Sequence, residues 1–112
     1  MLVNIPLRLA IADFRESIRN PDFTAFHCYR AIESLRHEFI GKDKKEQWEM
    51  LRNNLKVKEE TIKTMKDSAV MQRHGAIGTA PWEKRKEQMY TAWLIISKFI
   101  LFKKGLQILT EI

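Results

Sequence analysis

The sequence predicts an all-α fold, an antiparallel helical bundle of about five helices, and three observations carry that prediction. Apolar residues recur at steps of three and four through most of the 112 residues. Gly and Pro number only four and three, too few for a turn-rich β-architecture. Hydrophobic residues make up 45% of the chain and charged ones 30%, the balance of a packed domain rather than of disorder. A chain of this length builds one core, so residues 1–112 are read as a single domain.

The elements follow in order. From Pro6 to Arg19, Leu7, Ile11, Phe14 and Ile18 trace the stripe of an amphipathic helix. Asn20-Pro21-Asp22 stops it, with Asn20 expected to cap the next helix and Pro21 to open it. That second helix is expected to reach about Ile40, with Ala25, Cys28, Tyr29, Ile32, Leu35 and Phe39 on one face and Gly41 closing it. A charged connector, Lys42 to Glu46, leads to a short helix with Trp48 and Leu51 that ends near Asn53-Asn54. The fourth helix spans about Lys58 to His74, with Ile62, Met65 and Ala69 inward and Gly75 ending it. Gly75 to Pro81 reads as a loop.

The last helix, from Pro81 or Trp82 to about Leu109, is the longest. Met89, Ala92, Trp93, Ile96 and Ile100 form one stripe, while Leu94, Ile95, Leu101 and Phe102 cover much of the rest. A helix apolar nearly all round must be buried on more than one side. One side can face the bundle, and the other is expected to meet a second copy, which predicts a homodimer through the C-terminal helix.

Charge and composition narrow the function less. The net charge is +6, but basic residues are mixed with acids, as in Lys42-Asp43-Lys44-Lys45-Glu46, so the excess reads first as a solvated surface. The single Cys28 cannot form an intramolecular disulfide, which points to a cytoplasmic setting. The N-terminal stretch lacks the basic leader of an export signal, and Ala92 to Phe102 is too short for a membrane span. No metal site and no cofactor are expected: Gly41 stands where a second zinc-binding His would follow His37-Glu38. Phosphate-binding loops and nucleophile elbows do not occur either. Cys28, adjacent to His27, cannot face it on a helix and reads as buried and inert.

Two constellations remain. Arg30, Glu33 and His37 share one face of the second helix at steps of three and four, so Glu33 can pair with either neighbour. Arg30 and His37 stand two turns, roughly 10 Å, apart, as weaker substrate-binding candidates or as a solvated charge ladder. Arg73 falls about 20° from Ile62 around its helix and so continues an apolar stripe. A guanidinium sent inward must find acceptors, either as a clamp between helices or on a bound phosphate. The adjacent His74 adds a group that titrates near neutrality.

Cys28-Tyr29-Arg30-Ala31-Ile32-Glu33-Ser34-Leu35, then Arg73-His74-Gly75, then Ala92-Trp93-Leu94-Ile95-Ile96-Ser97-Lys98-Phe99-Ile100, together resemble the HEPN superfamily of prokaryotic helical bundles. The resemblance implies a dimer with an up-and-down core, often found with nucleotidyltransferases or in phage-defence and toxin–antitoxin systems. Partners implied are RNA, a nucleotidyltransferase or an antitoxin. Active members are metal-independent endoribonucleases that carry an Arg followed a few residues later by a His. Here Arg73 and His74 become the catalytic candidates, although they are adjacent and positions 77–80 hold Ile, Gly, Thr and Ala. The alternative is a non-catalytic dimerisation or protein-interaction module with no substrate.

Overall fold

The computed structural model describes residues 4–73 and 80–112, with Arg73 described by its backbone alone. Its elements are α1 (Ile5–Arg19), a 3-10 turn (Pro21–Phe23), α2 (Thr24–Arg36), α3 (Lys44–Leu55), α4 (Glu59–Arg73) and α5 (Trp82–Lys103). The fold is an all-α bundle.

Cross-helix contacts give the directions. Asn4 bonds Glu38, Asp13 meets His27, and Thr24 Oγ1 donates to the Ser17 carbonyl. Partners that rise in α1 fall in α2, so the two are antiparallel. Thr24 bonds Arg85, while Phe39 meets Phe99 and Phe102, so α2 and α5 run parallel. Phe14 packs its ring on Trp93 with centroids 5.3 Å apart, placing α5 on the flank of α1. The core between these helices holds Ile32, Leu35, Leu51, Leu55, Ile95, Ile96 and Phe99, all fully buried.

Helix ends account for most differences from the sequence reading. α1 starts a residue early because Asn4 Oδ1 accepts from Leu7 N–H at 2.8 Å, capping the helix ahead of Pro6. Asn20 does not cap the next helix. Its amide donates to the Glu16 carboxylate at 2.7 Å and its N–H to the Glu16 carbonyl, so it finishes α1 instead. Pro21 opens the 3-10 turn, and α2 begins only at Thr24.

α2 stops at Arg36 rather than Ile40, and Gly41 has a different task. A Cβ there would come within 2.9 Å of the Gln47 backbone nitrogen, so Gly41 lets the chain cross close to the first turn of α3. Asp43 caps that helix through Glu46 N–H at 2.8 Å, and left-handed Lys56 ends it at φ 55°.

α5 stops at Lys103, six residues short of the expected Leu109. Gly105 takes φ +70°, its N–H donates to the Phe102 carbonyl, and Leu106 N–H reaches the Leu101 carbonyl. That pair of bonds is a Schellman stop, for which Gly is the favoured residue. The tail then folds back: Ile108 is buried, Lys98 Nζ donates to the Thr110 carbonyl, and Ile112 exchanges backbone hydrogen bonds with Lys56 and Lys58.

Candidate functional site

The seam between α1 and α2 is made of small or polar residues. Ala10 and Ser17 are buried from α1, against Thr24, Cys28 and Ala31 of α2. This close approach leaves the large apolar residues of α1 off the seam. Leu7 and Phe14 reach the core edge, whereas Ile5, Leu9, Ile11 and Ile18 stay exposed.

α5 repeats the situation. It buries Ala92, Ile95, Ile96 and Phe99, which lie on one side of the helix. The expected stripe is therefore rotated, and Trp93 stands outside it with 45% exposure. Trp82 at 58%, Tyr90 at 64% and Ile18 at 52% join it on the same face. Between α1 and α5 these side chains, with Phe14, Pro21 and Met89, line an open groove of about 590 Å³. Lone exposed apolar residues are ordinary, but a contiguous aromatic patch marks a contact surface.

Two cations, Arg85 and Lys86, also line the groove. Arg85 is held from two sides: its Nε donates to Thr24 Oγ1 at 2.9 Å, and its guanidinium lies 5.7 Å from the Trp82 ring centroid. Beneath it Cys28 is buried, and that burial pushes its thiol up to about 11, against smaller opposing effects of a Ser17 hydrogen bond and the Arg85 charge.

Arg30 and His37 do not line the groove. Arg30 does not pair with Glu33. Its Nε is 3.4 Å from Asp13 Oδ2, while Asp13 Oδ1 lies 3.2 Å from His27 Nδ1. Among the described residues Glu33 forms no ion pair. His37 stands just past α2, exposed. The Arg73 side chain, His74 and residues 75–79 of the loop expected from Gly75 to Pro81 lie outside the described residues.

Two features escaped the sequence reading. The Asp13–His27–Arg30 cluster joins two helices, and only the antiparallel register of α1 and α2 brings it together. Arg36 is buried with its guanidinium 5.5 Å from the Trp48 ring centroid and, among the described residues, no hydrogen-bond partner at Nε. Among the described residues no cluster of His, Cys, Asp and Glu could hold a metal ion, and no helix is long and apolar enough to cross a membrane.

A family model described as the C-terminal domain of DUF8168, a domain of unknown function, matches residues 2–104. The chain belongs to that family. No curated protein and no solved structure matches it. The DUF8168 C-terminal domain carries no activity in its description, so a functional reading has to start from the groove.

Proposed function

We propose that this domain is a protein-interaction module that receives the apolar side of a partner helix in the α1/α5 groove. The observation that carries the reading is the exposed row of Trp82, Tyr90 and Trp93 beside Ile18. Leaving these side chains in water forgoes roughly 1.5–3 kcal/mol per large residue relative to full burial. A second helix laid along the groove recovers that contribution, and the spacing of residues 82, 86, 89 and 93 suits ridge-into-groove contact.

Of the two weaker substrate-binding candidates for an RNA, Arg30 is tied to Asp13 and His37 lies beyond the end of the helix that carries Arg30. The catalytic candidates, the Arg73 side chain and His74, lie outside the described residues.

The test compares the wild-type chain with Tyr90→Asp, a change at an exposed position that leaves the core untouched. Light scattering over a concentration series and affinity purification from the native host report any companion, a second copy included. A stoichiometric companion held by the wild type and lost in the variant, at unchanged helical circular dichroism, is the expected result. A wild type that stays monomeric and alone would refute the module.

A further inference from the structure

We infer that the occupant of the α1/α5 groove is an acidic amphipathic helix of another protein, a conclusion that rests on the interaction-module reading above.

The charge of the groove selects the partner. Among the described residues its cations are Arg85 and Lys86, and no Asp or Glu lines it. With its Nε engaged by Thr24 and its plane over Trp82, Arg85 keeps its two terminal nitrogens free of any ion pair among the described residues. A guanidinium fixed in this way is a prepared fork for a carboxylate, because little side-chain freedom is left to lose on binding. Lys86 touches Glu83 at 3.1 Å, but both side chains are largely exposed, so the lysine can turn to a new acceptor at small cost.

The outer edge of the groove continues the pattern. Arg8, Arg15 and Arg19 fall on one side of α1, within about 40° of one another and just beyond Ile11 and Ile18. Only Arg19 has an ion pair among the described residues, a 3.8 Å contact with Glu16. On its α1 side a helix seated in the groove thus meets cations beside the aromatic rings, whereas along α5 Glu83 and Glu87 stand among Lys84 and Lys86. Its complement has apolar residues every three or four positions with Asp or Glu flanking them.

Other occupants fit less well. A second copy pairing across a two-fold axis would bring Arg85 and Lys86 of both chains into one dehydrated interface, in a protein that already carries +6. Single-stranded RNA would find rings to stack on and cations at the α1 edge, but within the groove Ile18, Pro21 and Met89 offer aliphatic contact, which suits the apolar side of a helix better than a phosphate backbone.

A displayed library of randomised helical peptides, about 16 residues or four turns long, tests the inference. It is selected on the full chain and counter-selected on Tyr90→Asp, and oligouridylate is offered in parallel. Selected peptides are expected to be acidic with apolar residues at helical spacing. Their affinity should fall about tenfold in Lys86→Glu and in Arg85→Met, and also fall as salt rises. Lys86→Glu alters only an exposed side chain, so its result stands even if Arg85→Met unfolds. Neutral or basic binders, or self-association lost in Tyr90→Asp, would overturn the acidic partner while leaving the module intact. If no binder depends on Tyr90, or if oligouridylate is the ligand that does, both readings fall.

Discussion

Arg85 Nε donates to Thr24 Oγ1 over 2.9 Å, tying the first residue of α2 to α5. Thr24 is fully buried and passes its own proton on to the Ser17 carbonyl at 2.9 Å. Thr24→Val keeps the shape but leaves the Arg85 Nε and the Ser17 carbonyl without this partner. We expect a loss of about 1.5–3 kcal/mol, read from urea unfolding.

Core and groove should separate cleanly. Phe99 is fully buried against Phe39, so Phe99→Ala should cost about 3–5 kcal/mol. Tyr90→Ala, at a position left largely in water, should stay within about 0.5 kcal/mol. Thermal melts of the two variants check the contrast, and a large loss for Tyr90→Ala would move that ring into the core.

Cys28 should resist thiol reagents in the folded protein. Its side chain is buried and its thiol is pushed up to about 11, so at pH 8 it is both inaccessible and protonated. Labelling should go to completion only in denaturant. Fast labelling of the native chain would show that the α1–α2 seam opens.

Lys98 gives stability a pH dependence. Burial holds its pKa below the ordinary 10.5, the Lys56 charge adds to that, and Glu111 offsets part of it. Between the lowered value and 10.5 the unfolded chain binds more protons, so the Lys98 contribution makes the fold more stable as pH rises through that window. Below it the penalty of burying the cation is fully present. Lys98→Met should flatten this part of the curve, as measured by denaturant unfolding at a series of alkaline pH values.

An interaction module leaves RNA alone. Labelled RNA incubated with the chain in EDTA should stay intact, and Arg73→Ala and His74→Ala should behave like the wild type. Cleavage lost in both variants would restore the reading in which those two residues are catalytic.

The bundle is legible in the sequence because its core positions obey helical spacing. Ile32 and Leu35, Leu51, and Ile62, Met65 and Ala69 are all buried where periodicity puts them. The helix ends are less legible, since apolar residues continue beyond the backbone signal. Phe39 is buried after α2 has stopped, and Ile108 is buried after Gly105 has ended α5. In both places the side chain packs on the core from a non-helical segment. The groove is hidden for another reason. Trp93 shares the periodicity of buried Ala92 and Ile96, and only the packing of α1 against α5 decides which side of it remains in water.

The return of the tail bears on the order of folding. Ile112 pairs with Lys56 and Lys58, partners more than fifty positions away along the chain. Closing so long a loop is entropically slow and is rewarded only once α3, α4 and α5 already stand in place. The strap should therefore be the last piece to dock and an early one to open, with Ile112 and Lys58 amides exchanging with solvent well before those of the α2–α5 core.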